Sequence, residues 1–144
     1  MKNLEVKPLM LLEQVDFTLA SKCSFETGVE AVKQAAASQG FNISHVHDIQ
    51  ASLKKGGIDY APYAIVEVCS PQIAFQVLDT DPRLGGLMPC RVAVYPKGDE
   101  TVFTTVLPSK LISLFPEIDS NLMEAAVYVD GKMRGIVEEA SKAV

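Results

Sequence analysis

Two short segments hold most of the residues able to do chemistry. Glu67-Val68-Cys69-Ser70-Pro71 combines a carboxylate, a thiol and a helix-opening Ser-Pro pair. Eighteen residues after Pro71, Pro89-Cys90-Arg91-Val92 adds a second thiol and a guanidinium. Alternate side chains of an extended chain share a face. Ala64, Val66 and Val68 therefore point one way, and Tyr63, Ile65, Glu67 and Cys69 the other. In the second segment Cys90, Val92 and Val94 share one face and Arg91, Ala93 and Tyr95 share the opposite one. The apolar sets belong to a core. That turns Cys90 inward and puts Glu67, Cys69 and Arg91 together on the other face. Were the two strands antiparallel neighbours, these three residues would form a compact patch, because facing Cβ atoms lie ~5 Å apart. A right-handed parallel crossover would instead leave them at opposite strand ends.

Such a patch has three readings. Arg91 can hold an anionic group bidentately, with Glu67 orienting it or accepting a donor and Cys69 offering a soft contact. Alternatively, an arginine within ~4–6 Å favours a thiolate, which points to a thiol-dependent enzyme or redox sensor using Cys69 or Cys90. Glu67 opposes that effect wherever it lies closer to the sulfur. The third reading is a plain Glu67–Arg91 cross-strand ion pair beside a small packed cysteine, in a structural homodimer without a ligand.

His45-Val46-His47 places two imidazoles on one strand face, a spacing that can chelate a transition metal. With Glu67 and Cys69 it would make a zinc or copper ligand set. A symmetric hairpin about Lys55-Gly56 pairs His47 with Tyr63, leaving Glu67 four residues, ~13 Å, further along. On that register no metal ligands and no cofactor are assigned, and His47 is a neighbour of the patch. The Gly-rich pieces Lys54-Lys55-Gly56-Gly57 and Leu84-Gly85-Gly86-Leu87 match neither phosphate-binding pattern and read as turns.

The elements that position these residues follow from periodicity and punctuation. Glu13 to Ala20 alternates as a half-buried strand. Ser24 caps a helix striped by Phe25, Val29, Val32 and Ala36 and ended at Gly40. Phe41 to Ile49 is a second strand, followed by a helical turn over 50–55. Tyr60 to Cys69 is the third strand, with Pro62 indicating an edge position or an irregular start. Ser70-Pro71 opens a helix running to Thr80. A loop over 83–88 leads to strands 89–95 and 101–107, joined by a turn at Pro96-Lys97-Gly98-Asp99. A short helix covers Leu111 to Phe115. Helical spacing of Leu122, Ala126, Val129, Met133, Ile136 and Ala140 predicts a long final helix over 119–142, although Asp130-Gly131 also fits a hairpin turn. The order implies an α+β fold, a mostly antiparallel sheet with helices packed on one face.

The 144 residues, 48% apolar and 22% charged, suit a single domain over 1–144 whose motif-bearing core spans about 13–107. A net charge of −5 without a basic run speaks against nucleic acid and anionic membrane. Leu9 to Leu12 is too short for a signal-peptide core, and uncharged stretches such as 68–78 are too short to span a bilayer. Three cysteines without a C-x-x-C read as free thiols, so the protein is expected in the cytoplasm.

The two motifs also carry a resemblance. Glu67-Val68-Cys69-Ser70-Pro71 followed by Pro89-Cys90-Arg91, with Asp81-Pro82, the glycines before Pro89 and a histidine at 45 or 47, is similar to the domain of unknown function 302 family. The similarity covers roughly Val15 to Leu107. Ser70 stands where the family pattern has Asn, and either residue can cap a helix. The resemblance implies a β-α-β(4)-α layout like that of TATA-binding-protein-like folds, the antiparallel arrangement of the two motifs, and a homodimer. It implies no established activity. The combined expectation is a small binding module for an anionic small molecule, organised by Glu67, Cys69 and Arg91 with Cys90 and His47 nearby.

Overall fold

Alternation of apolar and polar side chains produces five strands in the computed structural model, which describes residues 14–144. They are β1 (Asp16–Ser21), β2 (Asn42–Asp48), β3 (Ala64–Cys69), β4 (Cys90–Lys97) and β5 (Glu100–Val106). Every neighbouring pair is antiparallel, in the order β1-β5-β4-β3-β2. The two motif-bearing strands, β3 and β4, are therefore adjacent and inside the sheet. The crossover alternative is excluded.

Two helices cover one face. In α1 (Phe25–Ser38) the Ser24 hydroxyl accepts from the Thr27 N–H at 3.1 Å, and Gly40 follows the C-terminus with φ +82°. The final helix is continuous: α5 (Ser120–Ala140) buries Leu122, Ala126, Val129, Met133, Ile136 and Ala140 as one stripe. Its apolar face outweighs the turn propensity of Asp130-Gly131, since an interior glycine costs only ~1 kcal/mol. Val32, Val66, Val68, Val92, Val94, Phe103, Met133 and Ile136 fill the space between sheet and helices, each fully shielded from solvent. The expected α+β layout is present, with α2 (Ile49–Lys55) and α3 (Pro71–Thr80) inserted between strands.

A second apolar cluster lies apart from this core. Leu84, Ile112, Leu122 and Ala126 are its buried members, drawn from a 3₁₀ segment (Pro82–Leu87), from α4 (Pro108–Ile112) and from the first turns of α5. Val77 of α3 packs against it. Thus α5 serves both clusters along its length.

Local boundaries differ from expectation for identifiable reasons. β3 begins at Ala64, beyond Pro62, and is an inner strand, so Pro62 marks an irregular start and no edge. The stretch expected as a loop after Pro82 winds into 3₁₀ turns. Pro96 and Lys97 remain in β4, and the hairpin turns on Gly98-Asp99 alone, Gly98 supplying φ +63°. The short helix starts at Pro108, whose fixed φ suits a first helical position, and not at Leu111. The Leu9–Leu12 cluster lies outside the described residues. No helix among the described residues is long and apolar enough to cross a membrane.

Candidate functional site

The β3–β4 register sets the site. Glu67 pairs with Arg91 and Ile65 with Ala93, all on the face that α1 and α5 leave uncovered. One step further, Tyr63 and Tyr95 stack with ring centroids 5.3 Å apart and planes 3° from parallel. Val68 pairs with Cys90 on the helix-covered face. The predicted division of side chains between faces therefore holds, including the inward turn of Cys90.

Glu67 is the polar centre. Its Oε2 lies 3.5 Å from Arg91 Nε, and its Oε1 is hydrogen-bonded to His47 Nε2. The side chain is only 13% exposed, against 56% for Arg91. The His47 hydrogen bond is the main influence holding the Glu67 carboxyl below its ordinary value, and Arg91 adds to it against the opposing effect of burial. This contact corrects the predicted separation. His47 pairs with Ile65, not Tyr63, so it sits diagonally beside Glu67. The helical turn α2 lies within the connection, and Asp48 pairs with Ala64, which slides β2 along β3 relative to a hairpin centred on Lys55-Gly56. In the same register His45 pairs directly with Glu67, on the face it shares with His47 by alternation, and the register shifts only beyond it, between Ile43 and His45. The two imidazoles meet edge to face, centroids 4.4 Å apart.

Cys69 follows Glu67 on the open face, whereas Cys90, paired with Val68, turns to the helix-covered face; both are partly buried and free. Burial pushes the Cys90 thiol up to about 11, Cys69 and Asp130 push the same way, and the attraction of Arg91 is the smallest influence. At Cys90, burial outweighs the lowering influence of Arg91. Cys23 is buried beside α1, away from the patch. Among the described residues no group of three or more His, Cys, Asp or Glu side chains is placed to hold a metal ion, and that includes His45, His47, Glu67 and Cys69. Ser70 occupies the cap position of α3, but its hydroxyl makes no capping bond and turns to Gln72 Oε1 at 3.4 Å. The expected equivalence of Ser and Asn at this position does not extend to the cap itself.

The patch borders a cavity of about 430 Å³. It curves around the end of the sheet between the two apolar clusters. Ile65, Ala93 and Val106 line it from the open face, and Ile73, Val77 and Leu87 from the helical side. Cys69, Cys90 and Arg91 also reach it, and Arg91 is the charged residue among those lining it. Periodicity within one segment cannot reveal this wall, because it joins α3, the 3₁₀ segment and α4. Asp130 is a second missed residue. Buried in α5, its carboxylate accepts from the Ser109 N–H at 3.0 Å and from the Ser109 hydroxyl. It thereby supplies α4 with the cap that Leu107 cannot. A lone Asp beside the apolar stripe was the available signal.

Known proteins place this arrangement in context. The family model described as domain of unknown function DUF302 matches residues 17–140. A crystal structure described as an uncharacterized conserved DUF302 protein from Bacillus stearothermophilus is similar in fold, with a TM-score of 0.81 and 22% sequence identity. The match covers 89% of this chain and 99% of that one. No curated protein shows significant similarity to the chain. With the family pattern running from β1 to the end of α5, the chain belongs to the DUF302 family.

Proposed function

We propose that the protein is a binding module for a small anionic molecule, held at Arg91. One observation carries this reading. Arg91 approaches Glu67 through Nε at 3.5 Å, its side chain is 56% exposed, and it is the charged residue lining the cavity. Glu67, hydrogen-bonded to His47, would orient the guanidinium, and the exposed side of Arg91 would meet a ligand at the cavity mouth. A forked guanidinium matches planar oxyanions such as carboxylates. Catalysis by Cys90 has less support, since a thiol raised to about 11 is overwhelmingly protonated at neutral pH.

Calorimetric titration with acetate, sulfate and inorganic phosphate tests the reading. Binding that weakens tenfold or more in Arg91→Ala is the expected result, and unchanged affinity in that variant removes the role.

A second reading concerns assembly. The open face carries the Tyr63–Tyr95 stack, Ile65 and the 42%-exposed Val106, an apolar surface that a second copy of the chain would cover. This supports the homodimer implied by the family resemblance.

A further inference from the structure

We infer that the ligand is an amphipathic monoanion, its head on Arg91 and a hydrocarbon body in the adjoining cavity. The inference rests on the anion-binding reading and adds what the rest of the molecule must be.

The cavity is unequal in its chemistry. Arg91 supplies the charge, whereas both walls are built mostly from aliphatic side chains such as Ile65, Val106, Ile73 and Leu87. The other polar lining residues are few: the Thr104 hydroxyl is already engaged with Thr18 at 3.1 Å and with the Tyr95 hydroxyl at 3.4 Å, the Ser70 hydroxyl turns to Gln72 at 3.4 Å, and Tyr63 lies stacked on Tyr95. A sugar, nucleotide or peptide would bury polar groups here without partners, which is costly. A dianion would bring a second charge with no counter-charge. Glu67 stands beside Arg91 and would repel it further. An aliphatic chain or small ring instead replaces water that such walls hold poorly.

Size narrows the class. At 430 Å³ the cavity falls within the usual range for small-molecule sites, ~300–1,000 Å³. Taking ~30 Å³ per water-sized group, it accepts on the order of a dozen non-hydrogen atoms. A monocarboxylate of about eight to ten carbons fits this volume with its head outside the apolar walls.

Calorimetry on the full chain, below the aggregation limit of each compound, separates the two halves of the inference. Acetate, butanoate, hexanoate and octanoate vary the body; octan-1-ol and octylammonium vary the head. Octanoate should bind tightest and octylammonium weakest, with affinity rising about two- to fourfold per added methylene along the acids. Arg91→Ala should reduce octanoate to the level of octan-1-ol without altering octan-1-ol. Ala93→Phe, which fills the cavity from the exposed face, should weaken both, and circular dichroism establishes that each variant is folded. Octanoate binding no tighter than acetate overturns the hydrocarbon body and leaves the anion site standing. Equal binding of octanoate and octan-1-ol by the native chain overturns the role of Arg91, and with it the reading beneath. No binding of any acid overturns both.

Discussion

Glu67 stands between two donors, and its position has a measurable consequence. The carboxyl titrates below its ordinary value of 4.5 in the folded protein, because the His47 hydrogen bond and then Arg91 favour the charged form. The unfolded chain therefore binds the proton more readily. The resulting stability is complete above 4.5 and is lost as pH falls through the lower, folded value. Urea unfolding of the native chain and Glu67→Gln should differ at neutral pH and converge in acid; a constant difference across that range would show that ionisation contributes nothing. Cys90 behaves oppositely. With its thiol near 11, iodoacetamide should modify it about two orders of magnitude more slowly at pH 8 than an ordinary thiol of pKa ~8.5. Peptide mapping against pH measures this; a midpoint near 8.5 at Cys90 would show that burial does not suppress its ionisation, and only a midpoint well below 8.5 would restore the thiol-enzyme reading. At this scale the faces of Glu67, Cys69, Arg91 and Cys90 were legible, because alternation in a strand is a local property. The titration of Glu67 and Cys90 was not, since His47 and burial come from other segments.

Among the elements, α1 and α5 show how one residue type has opposite value in two helices. Gly28 of α1 lies against β5, where a Cβ would stand 2.8 Å from Thr101 Cγ2 and 3.3 Å from the Phe103 ring. Both neighbours are fully buried and cannot retreat. Gly28→Ala should therefore destabilise by about 1–3 kcal/mol through overpacking, outweighing its gain in helix propensity. Around Gly131 of α5 nothing lies within 4 Å of an added Cβ, and Gly131→Ala should stabilise by up to ~1 kcal/mol. Unfolding midpoints of the two variants should move in opposite directions, and a shared direction would mean that packing against β5 is not limiting. The existence of both helices was legible from their stripes. The close approach at Gly28 was not, because it depends on which strand lies beneath. The short α4 is similar: Pro108 signals its start, but Asp130, remote in sequence, supplies its cap.

For the whole molecule, the sheet has one face buried under α1 and α5 and one open. Tyr63, Tyr95, Ile65 and Val106 make the open face apolar enough for self-association to be the expected outcome. Sedimentation equilibrium should give a dimer that Tyr95→Glu dissociates. A native chain that remains monomeric at all concentrations would remove this surface as an interface. The cavity belongs to the same scale, for it exists only where the sheet ends and a second cluster begins. Its walls join Ile65 in β3 to Leu87 before β4 and Val106 at the end of β5.

Composition, periodicity and capping residues determined an α+β chain with an uncovered sheet face bearing Glu67, Cys69 and Arg91. Those are short-range consequences of side-chain period and backbone preference. Three features were decided only by the tertiary structure: the register that brings His47 to Glu67, the burial that raises the Cys90 thiol, and the apolar cavity beside Arg91. Each depends on how segments distant in sequence pack, and one register step or one helix placement alters all the distances on which the chemistry of the site rests.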